Sequence, residues 1–298
     1  MERPSARNSP GTVSLFPVTF REGKKESGPA FVRRPAVAGY FYPAEPEGLR
    51  EAIDALAQRK GPVSQAHAVI VPHGSLRWSG PIAAAALSQV AIPRRCILLG
   101  PSHTASRMRW SLMSAGAYRT PLGDVPVDEL YAQALRQRCP FLEADAWAQR
   151  GEHALEVIIP FLQRLGPSDL TIVPIVTESE DEAELARMAQ ALAQTARMSE
   201  ERCLFLASAD LSHDEPAGRA AEQDGALIER ISALDGAGLV RAVRDGAARM
   251  CGAGAVACVL EAAKALGAHR GRLVRYGTSA DAGGDPHSAT GYAGIVID

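Results

Sequence analysis

No stretch of this chain approaches the roughly 18 consecutive apolar residues that a membrane-spanning helix needs, so a membrane is not expected as a partner. The first residues also lack the apolar core of a secretory leader, because Arg3, Arg7, Asn8 and Pro10 interrupt it. Cysteine is scarce: Cys96, Cys139, Cys203, Cys251 and Cys258 are odd in number and show no CxxC spacing. That pattern suits reduced thiols in a cytoplasmic protein better than a disulfide framework. Clustered basic charge is missing too. The formal net charge is -2, and the densest basic groups are the pairs Arg33-Arg34 and Arg94-Arg95. Phosphate contacts need more than that, so no nucleic acid partner is expected. There is no phosphate-binding loop signature and no HExxH, which removes nucleotide-driven phosphoryl transfer and the commonest zinc-protease pattern.

What is present is an ordinary folded composition. With 298 residues, 46% apolar and 22% charged, the chain sits near the upper limit for one hydrophobic core. Residues 1–30 are rich in Arg, Lys, Ser, Pro and Gly and read as a poorly ordered extension. Residues 31–298 have a uniform texture with neither linker nor repeat, and one domain is the simplest reading. Short apolar runs at Ala68–Val71, Cys96–Leu99, Thr171–Val176, Cys203–Ala207, Leu273–Tyr276 and Tyr292–Ile297 read as strands. Most are continuous, as parallel strands covered on both faces are.

Amphipathic segments lie between them. Helices are predicted over Pro46–Gln58, Ser79–Val90, Glu152–Leu165, Glu182–Met198 and Gly254–Leu266. Ser79 can cap its helix, Pro160 should kink the third, and Gly267 suits the position just past the last. The alternation predicts an α/β fold: a central, largely parallel or mixed sheet flanked by helices.

Three of the seven histidines follow directly on apolar strands: His73, His103 and His213. A single histidine after a strand is ordinarily a loop residue. Three at the carboxyl ends of strands, where open α/β sheets gather their ligands, form a pattern. Imidazole is both a metal ligand and the side chain best poised to move protons near neutral pH. Prolines beside His73 and His103 restrict the backbone there. In Ser208-Ala209-Asp210-Leu211-Ser212-His213, Asp210 either orients a ring or caps a turn. Cys251 precedes an Ala-rich helix whose N-terminus would lower the thiol pKa; its alternative is a small buried hydrophobe, the reading that also fits Cys96, Cys203 and Cys258.

Three other motifs carry less. Gly252-x-Gly254-x-x-Ala257 follows no convincing strand, so it fails as a dinucleotide fingerprint. Gly100-Pro101-Ser102-His103-Thr104 lacks the second glycine of a nucleophile elbow. Glu152-His153-Ala154-Leu155-Glu156 carries acids where a helix start favours them, which explains Glu156 on dipole grounds alone.

Taken in order, the blocks resemble the Memo family, called AmmeMemoRadiSam system protein B in prokaryotes. They are Arg34–Pro43, Val71-Pro72-His73 with Ser79-Gly80, Leu99–Thr104, Thr120–Gly123, Glu152–Glu156 with Pro160-Phe161-Leu162, Asp210–His213, Cys251-Gly252-Ala253 and Gly291-Tyr292-Ala293. Two departures stand out: the family's PHAGY reads Pro72-His73-Gly74-Ser75-Leu76 here, and Ala154 stands where serine is common. The resemblance implies a fold like that of class III extradiol (LigB-like) dioxygenases. It also implies a metal site of His73, His103 and Cys251, an acid/base role for His213, and Glu152, His153 and Asp210 in or near the pocket. Iron(II) is the metal expected, with copper or zinc as alternatives. A small-molecule or peptide ligand in the metal cleft, and radical-SAM and AMMECR-type system partners, are implied as well.

A thiolate in place of the dioxygenase carboxylate changes the chemistry, because it is soft and itself oxidisable. Ring cleavage therefore does not transfer with the fold. A metal-dependent, dioxygenase-like redox enzyme is the leading reading. A non-catalytic metal- or peptide-binding protein and a metal-dependent hydrolase are the alternatives.

Overall fold

The structure, a computed structural model, describes residues 31–58, 63–104 and 109–298. The expected N-terminal extension, residues 1–30, lies outside them. The chain runs β1 (Val32–Arg33), α1 (Pro46–Leu56), β2 (Ala68–Val71), α2 (Gly80–Leu87), β3 (Arg95–Pro101), β4 (Trp110–Leu112) and β5 (Ala117–Thr120). It continues through β6 (Gly123–Pro126), α3 (Glu129–Arg138), β7 (Glu143–Ala144), α4 (Ile159–Leu165), β8 (Thr171–Thr177), α5 (Glu182–Met198) and β9 (Cys203–Ser208). The last elements are α6 (Ala217–Ser232), α7 (Gly236–Arg244), α8 (Ala253–Ala265), β10 (Gly271–Thr278), a 3-10 turn (Ser279–Ala282) and β11 (Gly291–Ile297).

Eight strands form one sheet in the order β10-β11-β2-β9-β3-β8-β4-β7, and β1-β5-β6 form a small second sheet. The centre, β2-β9-β3-β8, is parallel. β11 runs antiparallel to β2 and β10, and β4 antiparallel to β8, so the sheet is mixed. Alternate side chains of the central strands enter opposite cores. Ile70, Ile97, Leu99, Val173, Phe205 and Ala207 pack toward α5 and α8. Val69, Val71, Leu98, Ile172, Leu204 and Leu206 pack toward α1, α2 and α4. Helices on both faces explain why these strands read as unbroken apolar runs. The single-domain α/β architecture is the one expected.

Three local expectations need correction. The helix predicted over Glu152–Leu165 begins at Ile159, and residues before it form turns. Pro160 falls in the first turn and kinks nothing, because its missing N–H would have no helical acceptor there. Ser79 does not cap α2. Its hydroxyl points back to the carbonyls of Gly74 (2.7 Å) and Ser75 (3.3 Å), closing the loop that follows β2.

Three of the parallel strands, ending at one edge, build the site. β2 delivers His73 there, β3 delivers His103, and β9 delivers Asp210 and His213.

Candidate metal centre

His73, His103 and Cys251 converge. One ligand atom from each lies within 4.8 Å of the others, and Cys251 Sγ is 3.2 Å from His73 Nε2. Donors around a single tetrahedral ion of zinc-like bond lengths stand about 3.5 Å apart, so the spacing suits one ion. His73 is buried, with Nδ1 2.7 Å from Ser208 Oγ. His103 Nδ1 lies 2.9 Å from Glu152 Oε1, and the His103 backbone N–H also donates to Glu152. With both Nδ1 atoms engaged, the Nε2 atoms are the ones left available to an ion. The donor set therefore fits a metal.

Cys251 reaches the centre through a tight backbone path. Gly252 adopts a left-handed conformation (φ 76°) at the start of α8. A Cβ there would stand 2.7 Å from the Ser208 carbonyl oxygen and 3.2 Å from Pro101 Cδ. The Cys251 N–H donates to the Asp210 carbonyl (3.1 Å), and the Asp210 N–H points at Sγ (3.3 Å). The expected lowering of the thiol pKa by the helix end does not occur. Burial pushes the thiol well up, the Asp210 carboxylate adds to this, and the backbone N–H groups only partly offset them. A cation opposite the sulfur is what would favour the thiolate.

The third imidazole of the cluster is His153. Its ring stacks on His103 with centroids 4.5 Å apart and meets His73 edge-on at 5.6 Å. His213, expected to converge with the other strand-end histidines, is not in the ligand group. The loop before it folds away: Leu211 N–H donates to Gly291, and Asp224 accepts the Ser212 N–H (3.0 Å) and hydroxyl (3.1 Å). His213 lines a cleft of about 580 Å³ with His153, Asp210, Phe41, Trp78 and Tyr292. A separate apolar groove between α5 and α7 contains none of these residues.

The carboxylates divide their tasks. Burial alone would raise Glu152, but hydrogen bonds from the His103 ring, the His103 N–H and the Ala154 N–H hold it down to about 2. The same contact raises His103, overcoming its burial. His73 and His153 are lowered by burial and by their imidazole neighbours. Asp210 is pushed up to about 6 by burial. It both caps a turn, accepting the His73 backbone N–H at 2.7 Å, and approaches the His73 ring, with Oδ2 3.9 Å from Nε2. His103, Glu152 and His153 also lie close enough to hold an ion. The Glu152 oxygens, however, are already engaged by three donors.

Glu156, assigned above to a helix start, is instead a buried anchor. It pairs with Arg33 and accepts the Ala36 N–H (2.8 Å), the Val37 N–H (3.0 Å) and the Tyr42 hydroxyl (2.6 Å). Sequence reasoning also gave no role to Ser208 or Tyr292. The trace available for Ser208 is a polar residue closing an otherwise apolar strand. Gly74 and Tyr292 are mutually fitted: a Cβ at Gly74 would stand 2.9 Å from the Tyr292 hydroxyl.

Comparison with known proteins agrees with the motif series. Residues 33–296 match the family model described as Memo-like protein. A MEMO1 family protein of Methanopyrus kandleri is 37% identical over 279 residues, covering 89% of this chain and 98% of that one. One from Methanothermobacter thermautotrophicus is 34% identical over 274 residues, covering 88% and 99%. One from Sulfolobus acidocaldarius is 35% identical over 280 residues, covering 89% and 98%.

Proposed function

This chain belongs to the Memo-like protein family, and from that premise we propose that it binds one metal ion through His73, His103 and Cys251 to run a redox reaction on a small molecule held in the adjoining cleft. The observation that carries this reading is the approach of Cys251 Sγ to within 3.2 Å of His73 Nε2, with a His103 nitrogen in the same small volume. Iron(II) is the metal we favour, and the soft sulfur also suits copper(I) or zinc. When bound, a redox-active ion with this donor set supplies open coordination positions and one-electron chemistry.

The chain's own residues supply the rest. His73 and His103 present their Nε2 atoms, and Cys251 supplies the anion. Asp210, His153 and His213 line the cleft beside the ligands, where they can accept or return a proton from a ligand seated there. Phe41, Trp78 and Tyr292 give that ligand apolar walls.

Metal analysis of protein purified without oxygen tests the proposal. A single iron per chain, lost in Cys251→Ala and His73→Ala, is the expected result. Equal metal in parent and variants would remove these residues from the site. Oxygen consumption by the parent with candidate small molecules then separates an enzyme from a protein that only binds.

A further inference from the structure

Both ligand histidines are held through Nδ1, and the hydrogen-bond directions can be followed to a group with no choice. Ser208 Oγ lies 2.6 Å from the Ala154 carbonyl oxygen, which can only accept. The single hydroxyl proton is therefore spent on Ala154. Ser208 Oγ must then accept from His73 Nδ1, 2.7 Å away, so that nitrogen carries the proton. The His103 case is simpler: both Glu152 oxygens face backbone N–H donors, so Oε1, 2.9 Å from His103 Nδ1, stands there as an acceptor. Oε1 also accepts the Ala154 N–H at 2.8 Å.

We infer that the turn Glu152–Ala154 is a clamp that fixes both ligand histidines in the Nδ1–H tautomer, acting on His103 through Glu152 and on His73 through the Ala154 carbonyl and Ser208. One short segment thus presets two Nε2 lone pairs that arrive from different strands. Glu152 and Ser208 are positioning residues; neither touches the ion. Ala154 contributes only its N–H and its carbonyl. The clamp is therefore indifferent to the side chain at the position where the family pattern carries serine.

This inference rests on the metal reading above, but its first test needs no metal. In metal-free protein labelled with ¹⁵N-histidine, at a pH where both rings are neutral, NMR should place the ring proton of His73 and of His103 on Nδ1. Ser208→Ala should shift His73 toward the other tautomer and leave His103 unchanged; Glu152→Gln should do the reverse. Zn²⁺ affinity, measured by competition with a chromophoric chelator, should fall about 10–100-fold in each variant. Ser208→Thr, which keeps the hydroxyl, should hold the parent tautomer. A parent protein with either neutral ring protonated on Nε2 overturns the clamp, even if no variant folds. So does a folded Ser208→Ala protein with unchanged tautomer and unchanged Zn²⁺ affinity. A parent that binds no ion yet shows both Nδ1 protons would instead overturn the proposed function and leave the clamp standing.

Discussion

Arg33 and Glu156 form a fully buried ion pair that joins β1 to the turn preceding α4, 123 residues away in sequence. Glu156 also holds the Ala36 and Val37 N–H groups and the Tyr42 hydroxyl, so the pair fixes the whole segment that leads into the first helix. Removing one member leaves the other charged, buried and unpaired. Arg33→Met is expected to cost about 3–5 kcal/mol in urea denaturation of the metal-free protein. A loss below about 1 kcal/mol, the range of a surface pair, would show that the pair is not buried in solution.

Gly252 is needed for its backbone. A side chain there meets both a left-handed φ and the Ser208 carbonyl. Gly252→Ala is expected to lower stability by about 2 kcal/mol. Because Cys251 is the adjacent residue, its Zn²⁺ affinity should fall as well. Wild-type affinity in a stably folded variant would show that the sulfur does not depend on this turn.

Asp224 gives a pH signature remote from the ligands. Its carboxyl is raised above the ordinary aspartate range by burial, against hydrogen bonds from Ser212 and Tyr276. A carboxyl that holds its proton more tightly when folded stabilises the fold below its unfolded pKa, and that contribution is lost as pH rises through the folded pKa. Asp224→Asn should therefore lose less stability between pH 4 and pH 7 than the parent does. Parallel thermal-denaturation profiles for the two proteins would contradict this.

His213 separates the ligand set from the cleft. It lines the cleft but stands outside the converging group. His213→Gln should keep its full metal content and Zn²⁺ affinity while changing ligand binding or turnover. Loss of metal in this variant would place His213 among the ligands.

The central sheet was legible because burial on both faces writes itself as uninterrupted apolar runs, and α5 because its stripe is regular and Asp181 caps it (side chain to the Ala183 and Glu184 N–H groups). α6 was not, because the stripe Ala220, Leu227, Ile231 is broken by Asp224, a buried acid whose partners lie on other elements. The same cause misplaced the start of α4. Glu152 and Glu156 look like the acids of a helix start, yet each is tied to a distant residue, His103 and Arg33 respectively. Strand ends pointed to His73 and His103, and family resemblance completed the set with Cys251. Ser208 and the Ala154 backbone stayed hidden, since hydrogen bonds between segments far apart in sequence leave no local pattern.

The most direct measurement is X-ray absorption at the metal edge of Zn²⁺-loaded protein, compared with Cys251→Ser. One sulfur at about 2.3 Å and two imidazole nitrogens at about 2.0–2.1 Å are expected, the sulfur vanishing in the variant. A shell of nitrogen and oxygen alone, or identical spectra from the two proteins, would contradict a centre built on His73, His103 and Cys251.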